Sequence, residues 1–178
     1  MRPRQAYDLD ASVRHTQDGP CFICACLEGH PDYAHHRVFE DDFAVAFLAR
    51  SPDAGGRELV QALGYVLIAP REHREGVIAD FTPREYLRLQ TVVYRVGQAL
   101  EQELPTERVY VLSLGSQQGN RHVHWHVVPL PPGVPYAAQQ FHFLMAEHGV
   151  MEMEPGELQE LASRLRRRLM LLHEGPAD

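Results

Sequence analysis

Three histidines, His122, His124 and His126, alternate with Val123 and Trp125 in the segment GNRHVHWHVVP, residues 119–129. In an extended chain, residues two apart point to one face and lie about 6.5–7 Å apart. The three imidazoles would then share a face while Val123, Trp125 and Val127 pack behind them. Two chemistries suit such a row. One is metal ligation, for which two ligands from a straight strand are easier to place than three. The other is nucleophilic attack on phosphorus. Neutral imidazole is available near pH 7, because its ordinary pKa is about 6.5. A nucleotidylated histidine divides one hard displacement into two easier ones. The attacking ring needs its other nitrogen held by a hydrogen bond, and a neighbouring histidine can donate to a phosphate oxygen or to the leaving group. A catalytic metal site built on the whole row would be a metallohydrolase; no carboxylate in the strand supports it.

The preceding loop, SLGSQQGN, suits an anion. Gly115 and Gly119 permit close approach of backbone N–H groups, and Ser116, Gln117 and Gln118 are neutral polar contacts. An ordinary hairpin loop is the alternative. Arg121 is expected on the face opposite the histidines. Cys21-x-x-Cys24 is half of a four-ligand zinc site, with Cys26 a nearby substitute; the alternative is two buried thiols packed as small apolar groups. His30, His35 and His36 are expected to be solvated loop residues.

The elements that must carry these groups follow from local pattern. HRVFEDDFAVAFLAR reads as two strands turning at Asp41-Asp42, with Phe43, Val45 and Phe47 on one face. SPDAGGRE is a loop, and LGYVLIAP is a buried strand closed by Pro70. Thr82 as N-cap, Pro83 at the first position and Glu85 completing a capping box start a helix, with Phe81 and Tyr86 as a staple. Tyr86, Leu89, Val93, Val96, Leu100 and Leu104 keep helical spacing until Pro105. RVYVLSLG and RHVHWHVVP read as strands. PLPPGVPY is irregular, residues 137–148 form a short helix, and Leu158, Leu161, Leu165, Leu169 and Leu172 mark a last helix. Arg164, Arg166 and Arg167 lie off its apolar line, and Gly175-Pro176 ends it. Residues 1–20 read as an irregular lead-in. This order predicts an α+β fold: an antiparallel sheet of about five strands with helices packed on one side.

A chain of 178 residues fits one domain. Net charge of −7 argues against a general nucleic-acid binder, so any phosphate site must be locally electropositive. No apolar run is long enough to span a membrane. The polar start MRPRQAYDLDASVRH lacks the apolar core of a secretory signal, and three cysteines within CFICAC make no disulfide framework. A cytoplasmic protein is the expectation.

HVHWHVV resembles the signature His-φ-His-φ-His-φ-φ (φ apolar) of the histidine-triad, or HIT, family of nucleotide hydrolases and transferases. VFEDDFAVAFL is similar to that family's first hairpin, and GYVLIAPREH to its second strand, so the resemblance spans roughly residues 21–130. It makes 21–130 the histidine-triad domain and 131–178 a C-terminal loop and helices packed on it. The resemblance implies that His124 is the nucleophile and that His126 assists at the phosphate. GNRHVH also resembles the Asn-x-His-x-His segment of galactose-1-phosphate uridylyltransferases, a sister branch, which implies a phosphate contact from Asn120. Gln118 stands four before His122, where many members have glutamine. Ser116, Gln117, Gln118, Gly119 and Asn120 are thus the candidate substrate contacts. Zinc-binding members complete their Cys-x-x-Cys with two histidines, which correspond here to His73 and His122. Cys21, Cys24, His73 and His122 would then hold a structural zinc, leaving His124 and His126 for phosphate; no organic cofactor is implied.

The pattern departs from the family in two places. Ala49, between Leu48 and Arg50, stands where members often hold the ribose with Asp or Asn. Beyond the triad, Tyr136, Gln139 and Gln140 either reach the pocket, with Tyr136 stacking on a base, or cover a sheet edge or dimer contact. The implied activity is cleavage of a nucleotide phosphoanhydride or phosphoramidate through nucleotidyl-His124, with dinucleoside polyphosphates favoured, by a homodimer without nucleic-acid or membrane partners. A non-catalytic nucleotide-binding module of the same fold is the alternative.

Overall fold

The computed structural model describes residues 2–51, 53 and 55–173; the Gly175-Pro176 stop lies outside them. Strands β1 (Arg37–Glu40) and β2 (Ala44–Leu48) form the first hairpin. Asp41 makes its turn: its Oδ1 accepts from the backbone N–H of Phe43 at 2.8 Å and of Ala44 at 2.7 Å. Phe43 precedes β2 and does not share a face with Val45 and Phe47. It packs toward the helices, with Arg88 4.8 Å above its ring.

A short β3 (Leu59–Val60) precedes the buried β4 (Val66–Pro70). Helix α3 (Pro83–Glu103) opens on the expected capping box, Thr82 with Glu85, and Phe81 meets Tyr86 edge to face at 6.3 Å. Two helices precede the sheet, α1 (Leu9–Asp18) and α2 (Phe22–Glu28). Next come β5 (Arg108–Ser113) and β6 (Trp125–Leu130). The five-stranded antiparallel sheet has the order β1-β2-β4-β6-β5.

One face of the sheet is buried under α3 and the last helix, α5 (Glu157–His173). Ile68, Trp125 and Val127 meet Leu89, Val96 and Leu161 there. Arg164 and Arg168 of α5 both pair with Glu103 at the end of α3. The opposite face, expected bare of helices, is also partly covered. Ile23 of α2 and Phe143 and Leu144 of α4 (Phe141–Leu144) pack on Val45, Phe47, Val128 and Leu130. The helix expected over 137–148 is broken into three short turns, because Gln140 has φ 59° and interrupts it.

Residues 2–20, expected as part of an irregular lead-in, are ordered by pairing and a helix. Gln5 exchanges backbone hydrogen bonds with Val150 (2.8 and 3.0 Å), beside the two-residue pairing of β3 with β7 (Met151–Glu152). Asp8 then caps α1, its Oδ1 accepting from Ala11 N–H at 2.8 Å, and Gly19 ends it. No residue of α1 is buried. No helix among the described residues is long and apolar enough to cross a membrane.

Candidate functional site

The strand carrying the triad is shorter than RHVHWHVVP: β6 starts at Trp125, and His122, Val123 and His124 precede it. The register explains the difference. Ile68 faces Trp125, so Val123 would face Pro70, which has no N–H to continue the ladder. Val123 N–H instead donates to Arg74 O at 2.7 Å, and His124 O accepts from Ser113 Oγ at 2.8 Å. The alternation of faces survives. Val123, Trp125 and Val127 all join the core under α3 and α5, and the imidazoles lie on the other side.

Backbone carbonyls fix the hydrogen on each ring, because a carbonyl oxygen only accepts. His122 Nε2–H donates to Pro70 O at 2.9 Å, which leaves Nδ1 bare. His124 Nδ1–H donates to His122 O at 2.7 Å, which leaves Nε2 bare. His126 Nε2 faces Leu114 O at 3.4 Å, and its Nδ1 lies 2.6 Å from the Tyr65 hydroxyl. The His124 and His126 rings are 4.8 Å apart. Burial pushes His124 below the ordinary imidazole range and lowers His122 and His126 to about 4, so all three rings are neutral at pH 7.

His122 turns its bare Nδ1 toward the cysteines, 3.5 Å from Cys21 Sγ and 3.6 Å from Cys24 Sγ; His73 Nδ1 lies 3.3 Å from Cys24 Sγ. The four donor atoms lie within 4.8 Å of one another. With Zn–S of about 2.3 Å and Zn–N of about 2.0–2.1 Å, a tetrahedral site has edges of about 3.3–3.8 Å. The group is therefore compatible with zinc, and His73 Nε2 has Glu75 at 3.4 Å to hold its ring. Burial and the adjacent Cys21 thiol push Cys24 up to about 12. Cys26 is buried outside the group, and His124 and His126 do not join it.

A cleft of about 1340 Å³ opens over His124 and His126. His124, only 4% exposed, borders it beside Phe22, whose ring meets it edge-on at 5.7 Å. Gln118, Gly119 and Asn120 line the cleft; Ser116 and Gln117 do not. Those two shape the loop instead: Ser116 and Gly119 exchange backbone hydrogen bonds, and Ser116 Oγ accepts from Gln118 N–H at 3.1 Å. The Gly119 N–H is thus engaged within its own turn. The missing Cβ of Gly119 makes room for α1, since a Cβ there would lie 2.9 Å from Thr16 Cγ2. Arg121 lines the cleft and does not point away, as strand alternation would have it. Asn120 has φ 56°, so alternation does not extend through it.

Other sequence expectations also change. His35 and His36 are not solvated. His35 is packed 4.7 Å from the Phe47 ring beside Leu48 O, and His36 bonds Glu58 and Gln159. His30 is exposed. Tyr136, Gln139 and Gln140 are absent from the described cleft wall: Tyr136 is 80% exposed, and Gln139 donates to Val134 O. The cleft has charges of both signs, Arg50, Arg57 and Arg121 against Asp8, Asp32, Asp53 and Glu75, so it is not electropositive as a whole. Ala49 lines it with a methyl group alone, and the buried Ser51 beside it has a hydroxyl without a hydrogen-bond partner among the described residues.

The sequence model of the HIT domain matches residues 31–132. The chain belongs to the HIT family. An uncharacterized HIT-like protein of Borreliella burgdorferi is 25% identical over 116 residues, covering 61% of this chain and 74% of that protein. A hypothetical histidine triad nucleotide-binding protein from Sulfolobus tokodaii shares the fold with a TM-score of 0.64 at 20% identity, over 85% of this chain and 93% of that one. A zinc-bound histidine triad family protein from Mycobacterium smegmatis does so at 0.62 and 22%, over 86% and 95%. HIT membership places the chain among nucleotide-binding proteins, hydrolases and transferases. The matched HIT segment begins after Cys24, so α1, α2 and both candidate thiol ligands precede it.

Among the residues of this HIT cleft that the sequence pattern does not announce are Tyr65, His35 and, on α1, His15 and Thr16. The α1 boundaries were legible in Asp8 and Gly19, but the helix buries no apolar stripe to announce itself. His35 also predicts a pH response. Burial first, and then nearby Arg50, lower it to about 4 in the fold, against about 6.5 unfolded. Below pH 6.5 the unfolded chain binds a proton that the fold refuses. The stabilisation is full above about 6.5 and is lost as pH falls toward 4, by up to about 3 kcal/mol. Thermal melts from pH 7 to 4.5 should show a falling Tm, with a shallower slope in His35→Gln; identical slopes would count against this assignment.

Proposed function

We propose that this HIT protein is a nucleotidyl hydrolase or transferase that works through a covalent nucleotidyl-His124 intermediate. The observation that supports it best is the opposite protonation of neighbouring rings: His124 with Nδ1–H anchored on His122 O and Nε2 bare, His126 with hydrogen on Nε2. Nε2 of His124 attacks the phosphorus of the nucleotidyl group, and the bond from phosphorus to the leaving group breaks, an oxygen departing as the phosphate anion and a nitrogen as the amine with a proton taken from solvent. The positive charge that develops on His124 is met by His122 O. His126 Nε2–H donates to a phosphate oxygen as charge builds there. Water or another acceptor then attacks phosphorus, the P–N bond breaks, and His124 is released.

Gln118 and Asn120 contact the phosphate, with Gly119, Ser116 and Gln117 shaping their loop, and Arg121 adds a cation beside them. Ser51 takes over toward the ribose where Ala49 has nothing to offer. Dinucleoside polyphosphates are the favoured substrates and nucleoside phosphoramidates the next. Cys21, Cys24, His73 and His122 would hold a structural zinc ion, which would tie α2 and the segment after β4 to the start of the triad. Residues 21–130 act as the catalytic unit, with 2–20 and 131–173 packed on it. Two copies pair as a homodimer along β5, one of the sheet's two edge strands, where Val111 is exposed, as is Tyr94 of α3. The protein acts in the cytoplasm on a small nucleotide, without nucleic-acid or membrane partners.

The test incubates the protein with adenine and guanine dinucleotides and phosphoramidates, follows mononucleotide release, and weighs the intact chain after rapid quenching. An added mononucleotide mass is expected. Nucleotide affinity without any release would instead favour the non-catalytic binding module.

A further inference from the structure

Tyr65 stands between Gly64 and β4, with Leu67, two residues on, directly opposite His126 in the sheet. Its backbone is tied on both sides: its N–H donates to Ala62 O at 3.3 Å, and its carbonyl accepts from Ala49 N–H at 2.8 Å. The side chain is buried among Leu67, Ala69 and their neighbours and reaches the cleft beside the triad. A buried phenol needs a hydrogen-bond partner, and this one has His126 Nδ1 at 2.6 Å, the rings 5.7 Å apart.

The direction of that bond follows from the other nitrogen. His126 Nε2 faces Leu114 O at 3.4 Å. A carbonyl only accepts, so Nε2 carries the hydrogen, and a neutral ring has no second one for Nδ1. The Tyr65 O–H is therefore the donor. Burial pushes its pKa above the ordinary phenol range, so it stays protonated. The contact to Leu114 is long and weak beside the one to Tyr65.

We propose that Tyr65 is a positioning residue that holds His126 with its hydrogen on Nε2, directed at the phosphate. This rests on the catalytic reading above. The chemistry of the partner matters: a carboxylate in its place would draw the hydrogen to Nδ1 and leave Nε2 bare, unable to donate. Donation into Nδ1 also withdraws electron density from the ring and makes Nε2–H the stronger donor.

The test reads the tautomer directly. In protein labelled with ¹⁵N-histidine, long-range imidazole spectra at pH 7.5 should show His126 as the Nε2–H form, and Tyr65→Phe should shift it toward Nδ1–H. In the same variant kcat should fall about 10- to 100-fold, with KM within about threefold. In a His126→Ala background the further change from Tyr65→Phe should be less than about twofold, since groups acting through one another are not additive. An Nδ1–H tautomer in the wild type overturns the proposal without any variant. So does an unchanged tautomer in Tyr65→Phe, or an equal kcat loss in both backgrounds. If the wild type turns over nothing, the catalytic reading fails, while the spectra still decide whether Tyr65 sets the His126 tautomer.

Discussion

His124→Ala is expected to remove mononucleotide release almost entirely, lowering kcat by about 10³-fold or more and abolishing the covalent adduct. The expected size reflects loss of the nucleophile itself. In His124→Ala only the polar loop and the His126 donor remain around the phosphorus, and water has no general base to replace the bare Nε2. The variant should fold. His124 is 4% exposed, but its ring meets the rings of Phe22 and His126, and the ring's hydrogen bond goes to His122 O two residues away. A hydrogen-exchange or thermal comparison with wild type checks this. His124→Gly with added imidazole is the complementary experiment: a free ring entering the vacated space should restore part of the turnover. Undiminished turnover in His124→Ala would remove the nucleophile assignment.

The second large effect concerns the metal. One equivalent of zinc per chain is expected by elemental analysis of the purified protein. Removing it with a strong chelator should lower Tm by about 8–16 °C: free zinc a thousandfold above Kd stabilises by about 4 kcal/mol, and each kcal/mol moves Tm by about 2–4 °C at this chain length. Cys24→Ser should reproduce most of the loss. Because burial and Cys21 hold the Cys24 thiol up near 12, taking up a cation must expel protons, and apparent affinity should rise with pH. Activity should outlast brief chelation and decline only as the apoprotein unfolds. Immediate loss of activity at unchanged Tm would point to a reacting metal and against a closed structural site.

Much of this architecture was readable residue by residue because its signals are local. A capping box needs only Thr82 and Glu85 three apart, and the Asp41 turn closes on its own neighbours. The period of two that separates Val123, Trp125 and Val127 from the histidines needs only extended backbone. The misplacements share another character. The start of β6 was set from across the sheet by Pro70, the orientation of Arg121 by the left-handed backbone at Asn120, and the burial of His35 by Phe47. None of these is a property of the segment in which the error arose.

Sequence alone therefore determined which chemistry is on offer: histidines on one side of a rigid segment, thiols spaced for a metal, and a sheet with helices to support them. Tertiary structure decided what each histidine is. Three like rings do not all carry the hydrogen on the same nitrogen, because Pro70 O accepts from Nε2 of His122, His122 O accepts from Nδ1 of His124, and the Tyr65 hydroxyl donates to Nδ1 of His126, two of these partners lying more than fifty positions away along the chain. A neutral imidazole has one hydrogen and two places for it. Residue spacing cannot choose between them, whereas a neighbouring acceptor or donor can.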